Sequence, residues 1–113
     1  MSRSEYADDY EHVTLWRQAV RRAVTGYRGQ AFLRRLRDAL DAMPTKRLIT
    51  DVIQDAHGDV CVLGVLDPTP DCYYAEDLAT HFGMARALAA EIVYQNDEWG
   101  GSETPEERWV RMR

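Results

Sequence analysis

A chain of 113 residues is long enough to bury one hydrophobic core without disulfides or a metal, so a single domain is expected. With 45% hydrophobic and 29% charged residues the composition is that of a globular protein, and no apolar run is long enough for a bilayer span or a secretory core, which points to the cytoplasm. The formal net charge of −5 is unevenly spread: nine basic residues between Arg17 and Arg47 face only Asp38 and Asp41, leaving that stretch at +7 and the remainder at −12.

Residues Met1 to Asp9 are polar and acidic without periodicity and read as a flexible arm. From about Tyr10 the spacing predicts an amphipathic helix. Val13, Trp16, Val20, Ala23, Val24 and Tyr27 form its apolar stripe, with Arg17, Arg21, Arg22 and Arg28 on or near the other side. Gly26 and Gly29 bracket a break. Phe32, Leu33, Leu36, Ala39, Leu40 and Met43 then make a second stripe, ended by Pro44. Two such helices with a short joint predict an antiparallel pair, with Arg34, Arg35 and Arg37 away from the seam.

Beyond Pro44 the character changes. Arg47 to Gln54 and Val60 to Leu66 are short, β-branched-rich runs separated by the turn sequence Asp55-Ala56-His57-Gly58-Asp59, and a small hairpin is expected. One buried helical turn at Val60 to Leu66 is the competing reading, because short apolar runs do not separate the two. Asp67-Pro68-Thr69-Pro70-Asp71 is a loop.

Helix resumes near Ala75. Leu78, Ala79 and Phe82, then Leu88, Ala89, Ile92 and Val93, straddle Gly83 and predict two short helices across a tight bend, the second stopped by Asn96 and Asp97. Gly100-Gly101-Ser102 is a joint. Thr104, Pro105 and Glu107 then open a terminal helix with a capping box. Carrying Trp109 and Met112, that helix is short enough to need a partner surface from this domain or another protein. The domain division expected is thus an arm over 1–9, a globular body over 10–99, and a joint with a short helix over 100–113.

Five constellations are candidates for function. Asp77 to Ile92 resembles a helix-turn-helix core, with Ala79 small, Gly83 at the turn, Met84 after it, and Ala89 and Ile92 facing inward. DNA reading asks more of its second helix, which offers Ala85, Arg86, Ala87, Ala90 and Glu91. Only Arg86 suits a base or phosphate, and Asp97 and Glu98 would repel the backbone, so a structural corner is the favoured reading.

The arginine-rich pair is the second candidate. A guanidinium fork grips two phosphate oxygens, and nine basic residues in one segment could follow a nucleic-acid backbone; the favoured account is a solvated face offset by the acidic remainder, since the aromatics that might stack bases serve the core. Third, His57, Cys61, Cys72 and His81 are the residue types of a zinc site, but only His57 and Cys61 have suitable spacing. Cys61 sits in the apolar run Val60-Cys61-Val62-Leu63, where a buried, inert thiol is expected, and reduced cysteines are the better reading without a dense cysteine framework.

Fourth, Asp51, Asp55, Asp59, Asp67 and Asp71 fall in turns, where aspartate satisfies backbone amides. No phosphate loop, nucleophile elbow or zinc-protease helix motif occurs. Fifth, Glu91, Asp97, Glu98 and Trp99, followed by Glu103, Glu106, Glu107 and Trp109, combine carboxylates with aromatic anchors, as protein-binding surfaces do; tryptophans packed on their own domain are the alternative.

Several segments together resemble a family of small uncharacterised bacteriophage and prophage proteins. They are Arg28 to Gln30, Ala39 to Ile49, Gly58 to Gly64, Phe82 to Met84 with Glu91 to Glu98, and Glu103 to Trp109. The chain departs from that pattern in its short segment between Leu66 and Tyr74 and in ending soon after Trp109. The resemblance implies a phage origin and hence the cytoplasm of a bacterial host. Small phage accessory proteins often bind and block a host machine, nucleic-acid-guided defence complexes included.

The fold expected is mainly α: a small helical domain with a basic antiparallel helix pair, a short β-hairpin and a helix-turn-helix-like corner. The function expected is that of a non-enzymatic, anti-CRISPR-like inhibitor that occludes a host protein or ribonucleoprotein. It would use a basic face of Arg17, Arg21, Arg22, Arg28, Arg34, Arg35 and Arg37, or an acidic and aromatic face of Glu91, Asp97, Glu98, Trp99 and Trp109. No catalytic residue, metal, cofactor or membrane enters that expectation, and nucleic acid is a secondary partner. The alternative is a small helix-turn-helix DNA-binding regulator reading through Arg86 and acting as a homodimer.

Overall fold

One residue, Gly26, separates the first two helices: α1 runs over Val13–Thr25 and α2 over Tyr27–Asp41. The Gly26 amide donates to the Arg22 carbonyl at 3.1 Å and its carbonyl accepts from the Gln30 amide at 3.0 Å, so it closes one helix while opening the next. The corner is tight enough to require glycine three residues on. A Cβ on Gly29 would lie 1.7 Å from the Ala23 carbonyl oxygen, a clash between backbones that no rotamer relieves. The break therefore sits at Gly26, and Gly29 belongs to the first turn of α2.

The computed structural model describes residues 3–4, 13–70, 74–99 and 102–113. Among them are three further helices, α3 (Ala75–Phe82), α4 (Arg86–Asp97) and α5 (Pro105–Met112), and one 3₁₀ turn at Leu63–Val65. The fold is a small, mainly helical domain. No described helix is long and apolar enough to cross a membrane. Of the expected flexible arm only Arg3 and Ser4 are described, and Cys72, Asp71 and the Gly100-Gly101 joint lie outside the described residues.

Helix α4 is the centre of the packing. It contacts α3 and α1 extensively and α5 as well, and Leu88, Ala89, Ala90, Ile92 and Val93 are all buried. Ala89 and Ala90, each 0% exposed, are small enough to let neighbouring helices approach on two sides. Leu36 and Leu40 of α2, Leu48 and Leu63 of the middle segment and Leu78 of α3 complete the core. Burying each such side chain is worth about 1.5–3 kcal/mol, which explains why packing rather than propensity holds these short helices.

The middle segment combines both expected forms. Gln54 and Val60 make an isolated antiparallel bridge, and the Asp55 carboxylate accepts from the His57 and Asp59 amides at 2.9 and 3.0 Å, forming the turn. Pairing goes no further along the run, because the chain winds into the 3₁₀ turn at Leu63 and buries Val62 and Leu63. The hairpin is therefore a single bridged turn, and the helical reading holds for the second half of Val60 to Leu66.

Helix α5 finds its partner surface in this domain. Thr104 and Glu107 form the expected reciprocal capping box, and the Trp109 indole N–H donates to the Leu40 carbonyl at 3.2 Å. The buried Arg108 donates through Nη1 to the Leu48 carbonyl at 2.9 Å. Arg113 grips Asp41 through two hydrogen bonds of 2.7 and 3.0 Å. These contacts tie the chain end to the C-terminus of α2.

A candidate binding surface on the basic helices

The seven arginines of the expected basic face are all solvent-exposed. Arg35 lies over the Phe32 ring, 5.3 Å from its centroid, and Arg37 approaches Asp38 at 3.7 Å with both side chains more than half exposed. Such an exposed pair contributes about 0–1 kcal/mol. Arg17, Arg21, Arg22, Arg28 and Arg34 make no ion pair among the described residues. The other two cations of that stretch are engaged internally. Lys46 caps α2 by donating to the carbonyls of Asp41 and Met43 and sits 5.1 Å from the Trp109 ring centroid. Arg47 lies between Asp59 at 3.6 Å and Glu106 at 3.8 Å.

The α1–α2 corner meets the bend between α3 and α4, and the two enclose a groove of about 240 Å³. Gly83 makes that bend possible: at φ 68° and ψ 40° it closes α3 in the left-handed region, which costs other residues about 1–2 kcal/mol. The Met84 amide then donates to the Ala79 carbonyl at 3.0 Å, and Ala79, Met84, Ala89 and Ile92 all point into the core. The helix-turn-helix-like packing is thus present. Arg22 and Arg28 border the groove, Phe32, Met84 and Leu88 contribute its apolar wall, and Tyr27 stands beside it 88% exposed.

Helix α4, which would be the reading helix of a DNA-binding corner, exposes little besides Arg86 in its first turn. Leu88 to Ala90, Ile92, Val93 and Asn96 are buried and Glu91 is half-buried, accepting from Gln95 at 3.0 Å. A helix enclosed on this many sides has little surface to lay in a major groove.

The acidic and aromatic residues are dispersed. The Asp97 carboxylate is 4% exposed and pairs with Arg3, also accepting from Asn96 Nδ2 at 2.7 Å and the Asp51 amide at 3.2 Å. Glu98 accepts from Ser4 Oγ at 2.9 Å. Trp109 is docked on α2, and Trp99 is 61% exposed beside Tyr94, with ring centroids 6.4 Å apart. Asp97 and Trp109 thus serve the interior, and of the two tryptophans in this set Trp99 is the exposed one.

Among the described residues no three His, Cys, Asp or Glu side chains converge as a metal site. His81 Nε2 is 2.8 Å from Asp67 Oδ2, while Cys61 is buried with its Sγ 3.9 Å from Arg3 Nη1. Asp67 is an acidified loop carboxylate. Hydrogen bonds from the Thr69 hydroxyl and amide, with His81, hold its pKa down at about 2.

Sequence reasoning missed both Arg3 and the groove. Arg3 stands in a stretch without periodicity, and its partner is 94 positions away; the groove exists only where two helical corners meet. No protein-family model, no curated protein and no solved structure matches the chain.

Proposed function

We propose that the protein is a non-enzymatic binding protein of phage type that occludes a host protein or ribonucleoprotein, acting in the bacterial cytoplasm as an inhibitor of antiviral defence such as a CRISPR complex. The observation that carries this reading is the set of exposed arginines on α1 and α2, five of which have no ionic partner among the described residues. Arginines left unneutralised in a chain of net charge −5 favour a function in recognising anionic groups, because folding alone gains little from them. Guanidinium forks suit carboxylates and phosphates alike, so a ribonucleoprotein and an acidic protein both fit.

The test is phage challenge of bacteria with an active CRISPR system. Expression of the protein is expected to restore plaques, and charge reversal at Arg17, Arg21, Arg28 and Arg34 to abolish the effect while leaving the fold intact. Undiminished defence in cells that accumulate the folded protein overturns the reading. A helix-turn-helix regulator is the second reading, favoured by the packing around Gly83; it requires DNA retention that falls steeply with salt and disappears in Arg86→Ala.

A further inference from the structure

The groove between the two helical corners differs from the rest of the basic face in having an apolar interior. Its side chains carry polar atoms only at Arg22, Arg28 and Tyr27; the remaining positions are Phe, Met, Leu, Ala and Gly. Its volume of about 240 Å³ exceeds the roughly 150 Å³ of an apolar cavity that takes up a benzene ring. Room therefore exists for one large side chain.

We propose that the groove receives an apolar side chain, best an aromatic one, from an acidic protein segment whose carboxylates are gripped by Arg22 and Arg28. The inference deepens the proposed binding role of α1 and α2 and rests on it, and it commits the groove to a protein partner. Charge decides the sign of that partner, since the groove is bordered by two arginines and lined by no acidic residue. The interior decides its class. A nucleobase pressed into the groove would lose water from its polar edge and, beyond Arg22, Arg28 and Tyr27 at the rim, meet no polar side chain there, a penalty of about 1–3 kcal/mol for each group left unpaired.

A phenyl or isobutyl group loses nothing of that kind and gains by leaving water. Tyr27, 88% exposed next to the groove, adds a residue type that interfaces favour, able to close over an inserted side chain at the cost of few torsions. Both arginines and Tyr27 are exposed, so substituting them leaves the core intact.

The probes are three fluorescent ligands: a short Asp/Glu peptide with one central Phe, the same peptide with Ala in that place, and oligothymidylate. Against the intact protein the Phe peptide is expected to bind about tenfold or more tighter than the Ala peptide. The double variant Arg22→Glu, Arg28→Glu should weaken the Phe peptide by about tenfold or more, whereas Gln18→Glu with Thr80→Glu, at exposed positions that neither line the groove nor belong to the basic face, should change it by less than about threefold. A bulky Ala85→Trp substitution is expected to remove the preference for Phe over Ala.

Equal affinity for the Phe and Ala peptides overturns the inference, as does equal loss from both double variants. Tighter binding of oligothymidylate overturns it in favour of nucleic acid. These outcomes are separable from the broader reading. Loss of the Phe preference alongside a retained, arginine-dependent effect in the phage challenge removes the groove assignment alone, and the reverse result removes the antiviral role alone.

Discussion

Arg3 and Asp97 form a two-pronged ion pair inside the domain. Nε to Oδ2 and Nη2 to Oδ1 are both 2.8 Å, with side chains 1% and 4% exposed. The Arg3 carbonyl also accepts from the Ala75 amide at 2.9 Å, so one residue ties the start of the described chain to α3 and to the end of α4. Burial works against the Arg3 charge, but the hydrogen bonds and charge of Asp97, together with the neighbouring Cys61, outweigh it, and the guanidinium is held more firmly protonated than usual.

Removing one partner of such a pair strands the other charge. Arg3→Met is expected to destabilise the fold by about 3–5 kcal/mol in denaturant unfolding, since Asp97 would remain buried without a cation. Replacing both residues by apolar ones should recover much of that loss. A loss below about 1 kcal/mol for the single variant would show that water reaches Asp97.

Acid weakens the loop before α3. The Asp67 carboxyl is held at about 2 by Thr69 and His81, below its ordinary unfolded value. Its contribution is therefore fully present above about pH 4 and lost as pH falls toward 2. Carbon-detected NMR titration should place the Asp67 midpoint near 2 in the intact protein. In Thr69→Val, which keeps the amide bond and loses the hydroxyl bond, the midpoint should move upward part of the way; an unchanged midpoint would remove Thr69 from the explanation.

Docking of α5 depends on Trp109. Its N–H reaches the Leu40 carbonyl and its ring faces Lys46, so Trp109→Ala is expected to cost about 3 kcal/mol. Trp109→Phe should cost less, near the roughly 1 kcal/mol of one hydrogen bond plus a small packing loss. Thr104→Ala, which removes one half of the capping box, should cost about 1 kcal/mol. Equilibrium unfolding measures all three.

Two glycines should respond differently to the same change. Gly83→Ala meets no atom within 4 Å but keeps φ at 68°, so a loss of about 1–2 kcal/mol is expected. Gly29→Ala drives a Cβ into the backbone of α1 and should cost clearly more, with the groove distorted as well. A smaller effect at Gly29 than at Gly83 in thermal unfolding would contradict the geometry of the corner.

Helix positions were legible because apolar side chains repeat at helical spacing wherever a helix lies on a core. The stripes ending at Met43 and Val93 mark α2 and α4, and the α5 capping box is local chemistry spelled out within four residues, Thr104 to Glu107. Val60 to Leu66 was ambiguous for a physical reason. A buried run of that length is apolar on every side in either conformation, and the single bridge followed by a 3₁₀ turn uses both.

The sequence by itself determined a mainly helical domain and a basic stretch from Arg17 to Arg47, because periodicity and charge are properties of neighbours along the chain. Tertiary structure alone decided which charges find partners: Lys46, Arg47, Arg108 and Asp97 engage groups within the fold, while Arg17, Arg21, Arg22, Arg28 and Arg34 find no ionic partner among the described residues. The same holds for the groove, whose walls are brought together from the α1–α2 and α3–α4 corners. Burial and ion pairing depend on distances in space, and Arg3 with Asp97 shows how far apart in sequence such partners can stand.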